Sequence, residues 1–349
     1  MLAYILKRLL LIVPTLFGVI LLTFTVTQFV PGGPVEQMVQ QMRGRTGAGA
    51  EASGGAVREY RGRDGVDPQR VEEIRKLYGF DKPAHERFWI MLKGFARFDL
   101  GKSFFHYKDV WQLVVSKLPV SISLGLWTFL LTYLISIPLG VAKAVRDGSR
   151  FDVASSLGVL VGYAIPGFVL GVLLLVLLGG GSFVQWFPLR GLTSDNWAEL
   201  DWFHKITDYL WHITLPVIAS TLGSFAVTTM LTKNVFIEEI RKQYVLTARA
   251  KGLPENQVLY KHIFRNALLP LVTGFPAAFT GAFFTGSLLI ETIFSLDGLG
   301  LLSYESVLKR DYPVVMGTLY LFTLIALVTK LISDLCYVWA DPRVKFEKQ

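Results

Sequence analysis

Between Leu9 and Val30 the chain reads LLLIVPTLFGVILLTFTVTQFV, 22 residues without a charged side chain. A helix of about 20 apolar residues crosses the roughly 30 Å hydrocarbon core of a bilayer. Hydrocarbon offers the backbone no partners, so such a run must satisfy its own N–H and C=O groups as a helix. Lys7-Arg8 precede it and Pro31-Gly32-Gly33-Pro34 follow it. A signal peptide has a shorter apolar core and ends at a small-residue cleavage site, so an uncleaved first membrane helix is expected.

Working outward, five more apolar stretches stand at Leu118–Ala142, Val153–Leu178, Trp211–Leu231, Leu268–Ile290 and Val314–Val338. The predicted fold class is an all-α integral membrane protein with six transmembrane helices. Residues 1–30 hold the first helix, 31–117 a small, mostly helical insertion, and 118–349 a five-helix core. Within the insertion, Arg43 to Gly65 is rich in Gly, Ala and Arg and has too little apolar surface to bury. A helix start is expected at Asp67-Pro68, with Val71, Ile74, Leu77 and Tyr78 at helical spacing. Phe88, Trp89, Met91 and Leu92 suggest a second helix. The third span carries Gly158, Gly162, Gly167, Gly171 and Pro166, which suit close packing and a kink, or a gate.

Charge orients the chain. With the N-terminus inside, segments 1–8, 143–152, 233–267 and 339–349 hold fifteen Lys and Arg, against four in the short loops 179–210 and 291–313. That bias puts both termini in the cytoplasm and the 31–117 insertion outside. The net charge of +8 follows from this loop asymmetry and does not point to nucleic acid. Trp186, Trp197, Trp202 and Trp211 gather around the second external loop, as an interfacial belt or a docking surface.

Catalytic chemistry is not expected. The single Cys336 excludes an internal disulfide, and His85, His106, His204, His212 and His262 show no metal-ligand spacing. Residues 96–103, ARFDLGKS, fit a loose phosphate-loop pattern. Bulky Phe98 and Leu100 and acidic Asp99 would keep the backbone from wrapping a phosphate. Lys330 and Asp334 are the clear intramembrane ionisable residues. Four apart on one helix, they can pair; Lys330 can also snorkel, and a proton relay is the third reading. No other span offers a deep carboxylate, so the energy for any transport must come from elsewhere.

The most basic inward segment, at about 234–267, contains Tyr244, Thr247, Ala248, Ala250, Lys251, Gly252 and Leu253, then Pro254, and on to Arg265, Asn266 and Pro270. Gly252 can end one helix and Pro254 can open the next without losing a hydrogen bond. The product is a helical hairpin whose small residues Thr247, Ala248 and Ala250 would allow close docking, or else an ordinary amphipathic surface helix.

These residues resemble the EAA loop of binding-protein-dependent ABC import permeases. Leu246-Thr247-Ala248 occupies the Glu-Ala-Ala position, without the Glu, and Gly252 matches the loop glycine. The likeness continues through Pro31–Pro34, Leu77–Pro83, Asp99–Ser103, Glu291–Gly300, Arg310–Pro313, Asp334–Tyr337 and Asp341–Arg343. It is to the oligopeptide, dipeptide and nickel branch, with the nearest likeness to permeases for peptides and microcin C; Asp297 sits where that branch commonly has Pro. The resemblance implies the type I ABC importer permease fold in a bacterial inner membrane, with the 31–117 insertion periplasmic. It implies ATP and Mg bound on a partner ATPase, separate or a fused tandem, and no cofactor on this chain. It further implies a second homologous permease subunit, a periplasmic substrate-binding protein, a peptide substrate and surrounding lipid. Within the family, dipeptide, nickel or glutathione transport is the alternative. Outside it stand an ion-coupled secondary carrier and a non-transporting scaffold.

Overall fold

The computed structural model describes residues 2–30, 33–36, 72, 75–76, 79–180, 183–284 and 287–340. The expectations for Arg43 to Gly65, for the helix start at Asp67, and for Leu77, Tyr78 and Asp341–Arg343 lie outside these residues. Among the described residues the chain is helical, with one isolated β-bridge, Lys102 to Asp109.

In chain order the helices are α1 (Leu2–Phe29), α2 (Ala84–Phe95), α3 (Val110–Val145), α4 (Arg150–Ala164), α5 (Gly167–Leu174), α6 (Trp202–Ile240) and α7 (Gln243–Ala250). There follow α8 (Glu255–Gln257), a π-helical stretch (Val258–Ile263), α9 (Phe264–Ala267), α10 (Leu269–Phe284), α11 (Leu288–Ile293), α12 (Leu299–Lys309) and α13 (Tyr312–Ala340). α1, α3, α6 and α13 are long and apolar enough to cross a bilayer, and α4 with α5 forms a fifth span if counted as one. The expected fifth span, Leu268–Ile290, contains α10, only 16 residues long. α6 has 39 residues, or about 58 Å, far beyond the expected Trp211–Leu231. Hydropathy marks where lipid contact ends, whereas the helix continues at both ends on side-chain contacts: Trp127 donates to Tyr209 at 3.0 Å, and Phe236 is buried against α3 and the segment after α6.

The chain divides into two compact units. One comprises Leu9–Ser116 and Leu302–Leu324. Its described part places the expected second insertion helix at α2, where Phe88 packs on Phe17 and Phe24. Residues 96–103 form a tight loop here and not a phosphate cradle. The Ser103 hydroxyl donates to Asp311 Oδ2 at 2.5 Å, and the Phe104 N–H donates to Asp311 Oδ1 at 3.1 Å.

The other unit comprises Met1–Arg8, Lys117–Leu301 and Ile325–Gln349. α4 and α5 meet at an angle of 87° around Ile165-Pro166. A Cβ on Gly167 would stand 2.6 Å from the Ala219 carbonyl, and one on Gly162 2.9 Å from the Leu222 side chain. Gly171 lies against Ala219, Ile290 and Phe294, whereas Gly158 faces open space. Three of the four glycines therefore serve close packing. Leu124, Ile213, Leu215, Val217, Ala219, Ile290, Phe294 and Leu296 form the core around this bend.

Candidate functional site

The hairpin after α6 is built from its backbone outward. α7 ends at Lys251, and Gly252 takes φ +74°. The Leu253 N–H donates to the Ala248 carbonyl at 3.4 Å, and the Gly252 N–H to the Arg249 carbonyl at 2.9 Å. This 6→1 and 5→2 pair is a Schellman cap, which needs a left-handed residue, usually glycine. Pro254 then precedes α8, where its missing N–H costs nothing. Arg249 closes the corner with two bonds to Glu255, at 2.8 and 3.1 Å.

One face of the hairpin is sealed. Val245, Ala248, Val258, Ile263 and Ala267 are buried with Phe236 of α6 and Val141 and Ala144 of α3. Thr247, Ala250, Lys251 and Gly252 lie on the exposed side, as do Arg265, Asn266 and Pro270. A Cβ on Gly252 would meet nothing within 4 Å. Ala248 is only 5% exposed, so the small residues divide: Thr247 and Ala250 face out, and Ala248 seats the helix. Leu253 is half-buried against the same core. Tyr244 donates to Glu239 Oε2 at 2.6 Å, tying α7 to α6. Burial and then the Glu239 carboxylate push the Tyr244 phenol above its ordinary value, against the pull of Asn266, so it stays a donor at physiological pH.

Two contacts that gather α3, α4 and α6 could not be read from sequence spacing. Lys143 is fully buried; its Nζ donates to the Asp152 carbonyl at 3.0 Å, to Ser155 and Ser156 at 2.9 and 2.7 Å, and pairs with Asp152 Oδ1 at 3.2 Å. Lys233 of α6 binds Asp152 Oδ2 at 2.7 Å and Asp147 Oδ1 at 3.2 Å. This network joins α3, the α3–α4 turn, the start of α4 and α6 next to the hairpin core. Only Ser149, the α4 N-cap that accepts the Asp152 N–H, hinted at it.

Lys330 and Asp334 come to 3.9 Å, with the Lys330 side chain 64% exposed. Asp334 is held more closely from α1, by the Tyr4 hydroxyl at 2.8 Å and Arg8 at 3.3 Å. Around the 291–301 turn, Glu291 is completely buried and accepts from the N–H groups of Leu301, Ser287 and Gly300 at 2.7, 3.2 and 3.4 Å. Asp297 pairs with Lys117. Among the described residues no group of His, Cys, Asp and Glu is placed to hold a metal ion. The hairpin is a capped corner packed on the two long helices α3 and α6.

Comparison with known proteins gives this geometry its context. The family of binding-protein-dependent transport system inner membrane components matches residues 136–346. The chain is 55% identical to the peptidoglycan transport system permease protein YejB of Agrobacterium fabrum, over 99% of both chains. It is 53% identical to the inner membrane ABC transporter permease protein YejB of Escherichia coli O157:H7, again over 99% of both. With the oligopeptide transport system permease protein AppB of Bacillus subtilis it shares 31%, over 99% of this chain and all of the other. The chain thus belongs to the binding-protein-dependent transport system inner membrane components, as a multi-pass permease subunit of a peptide ABC importer that works with ATPase and substrate-binding partners and is itself no enzyme.

Proposed function

We propose that the hairpin from Tyr244 to Pro270 is the surface by which a separate ATPase grips this permease. The observation that carries the reading is its two-sided build. A corner at Thr247, Ala250, Lys251 and Gly252 is exposed, while the opposite face is locked into α3 and α6. Force on the corner then moves two long helices as one body. In this reading both termini and the hairpin are cytoplasmic, 31–117 is periplasmic, and α10 is the short fifth of six spans. ATP and Mg act on the partner, a separate ATPase or a fused tandem, and a second homologous permease completes the translocation path. A periplasmic binding protein delivers the substrate. That substrate is an oligopeptide or a microcin C-like peptide; the name of the Agrobacterium relative favours, as a second reading, the peptide-bearing fragments of peptidoglycan.

The test is reconstitution in liposomes with the second permease, the ATPase and the binding protein. ATP-dependent accumulation of a plain peptide that needs every component is expected, and muropeptide uptake under the same conditions decides the second reading. Gly252→Trp is expected to abolish coupling, and Gly252→Ala to weaken it only by the left-handed strain, about 1–3 kcal/mol. The corner is open in this chain, so Gly252→Ala carries the same left-handed strain as Gly252→Trp without the bulk, and the difference between the two variants reads the obstruction of a partner. Full ATP-driven uptake by Gly252→Trp would sink the reading.

A further inference from the structure

A cavity of about 940 Å³ opens within the unit that contains Lys117–Leu301. Among its described lining residues there is no Lys, Arg or His, and the one carboxylate, Glu291, is engaged by three backbone N–H groups. A smaller cavity, about 590 Å³, lies wholly within the other unit. Its walls are the last turns of α1, the residues just before α2, α2 itself, the loop that follows it and the first turns of α13. Contacts with the two spans give its depth. Phe88 of α2 packs on Phe24 and Phe17, about 9 and 20 Å before the charge-free run ends at Val30. Phe95 and Phe98 pack on Tyr320, about 12 Å into α13. The Tyr312 hydroxyl donates to the Thr27 carbonyl at 3.4 Å, so the two spans end at one level. Half of the hydrocarbon core is about 15 Å thick. α2 therefore lies against the acyl layer and not above it. Trp89 and Ile90, each more than half exposed, suit that setting, and Lys93 and Arg97 have stems long enough to snorkel to the headgroups.

The lining of this smaller cavity is apolar with a basic group set in it. Phe24, Met91, Phe95, Phe104 and Met316 supply apolar wall. Lys82, Arg87 and Lys102 supply three cations, against one carboxylate, Asp99, whose Oδ1 accepts from the Gly101 N–H at 3.0 Å. Lys82 and Lys102 are exposed and Arg87 is half-buried. Arg87 Nη2 donates to Gln28 Oε1 at 2.7 Å, and the guanidinium sits 4.7 Å from the centre of the Phe80 ring. Gln28 stands two residues before Val30, at headgroup depth. Among the described residues none of the three cations pairs with a carboxylate. A guanidinium that is stacked and anchored but carries no counter-charge is set to receive an anion, and its fork of donors matches a phosphate. At this depth the bilayer itself supplies phosphate, joined to acyl chains that suit the wall beside it.

We propose that this smaller cavity holds one phospholipid with an acidic headgroup, its acyl chain against Phe24, Met91, Phe95 and Met316 and its phosphate on Arg87. Lys82 and Lys102 favour an acidic headgroup over a zwitterionic one. The site rests on α1 and α13 crossing the bilayer and is independent of the reading of the hairpin. It makes acidic lipid a specific ligand of this unit and not only its solvent.

The test uses the complete importer in detergent, titrated with dioleoylphosphatidylglycerol or dioleoylphosphatidylcholine, with retained lipid counted by native mass spectrometry. The unsubstituted complex is expected to keep one phosphatidylglycerol that phosphatidylcholine does not replace. Its unfolding temperature is expected to rise with phosphatidylglycerol alone. Arg87→Gln is expected to weaken that lipid about fivefold, and Arg87→Gln/Lys82→Gln/Lys102→Gln about a hundredfold. Arg87→Lys keeps the charge and most of the binding. Met91→Trp fills the apolar part of the cavity, leaves every charge in place, and is expected to lose the same lipid. If it does not assemble, Ile90→Trp serves, at an exposed position of the lining. Equal retention of the two lipids, full retention by the Gln variants, or a loss in the Gln variants that the Trp variants do not share would overturn the site. So would release of the lipid by inorganic phosphate, or Gln variants that keep the lipid and lose the binding protein instead.

Discussion

Two buried carboxylates in one unit are held in opposite ways. Asp152, beside the hairpin core, is 4% exposed and stands between the ammonium groups of Lys143 and Lys233. Glu291, at the larger cavity, is fully buried among backbone N–H groups; a Cβ on Gly298 would collide with its carboxylate, and one on Gly300 would press on it. The first is a charged lock between helices far apart in sequence. The second caps α12 and leaves the larger cavity without a free charge. The contrast teaches that one buried carboxylate serves as an ionic junction between helices, while the other serves as a backbone cap and needs no cation.

Substitutions can break or sharpen that contrast. Asp152→Asn leaves two buried or half-buried ammonium groups short of their counter-charge. A loss of about 3–5 kcal/mol is expected, read as a fall in the unfolding temperature of the complex. A change within about 1 kcal/mol would show that the lysines relax to water and that there is no lock. Glu291→Gln puts an amide where three N–H groups converge, and only its oxygen can accept. About 1–3 kcal/mol is expected, with α12 the first helix to lose hydrogen-exchange protection. Were the loss as large as at Asp152, charge and not capping would be what Glu291 supplies. Arg249→Ala opens the hairpin's surface pair, where Arg249 is 39% exposed and Glu255 69%. Only about 0–1 kcal/mol is expected, shrinking further with salt. A larger loss would make that pair, and not the apolar seat, the support of the corner.

Much of this was legible in the residues. The apolar runs at 9–30, 118–142, 211–231 and 314–338 each fall inside a long helix, because burial in lipid constrains composition directly. The hairpin corner was readable because Gly252 and Pro254 act through local backbone geometry. The boundaries of α6 were not, since its ends are held by contacts with other helices, at Tyr209 and Phe236, and not by local composition. The split among Thr247, Ala248 and Ala250 was not either, because all three are small, and only packing on Phe236 and Val258 shows which faces in.

By itself the sequence determined the helical membrane class, the family and the corner at Gly252, all set by local composition or by residues adjacent in the chain. Tertiary structure alone decided that Lys143, Asp152 and Lys233 form one network, that Asp334 answers to Tyr4 and Arg8 more closely than to Lys330, and that the Thr128 and Thr132 hydroxyls are buried without a hydrogen-bond partner. The physical reason is separation: these groups lie on different helices, or owe their state to what the neighbouring helices fail to provide.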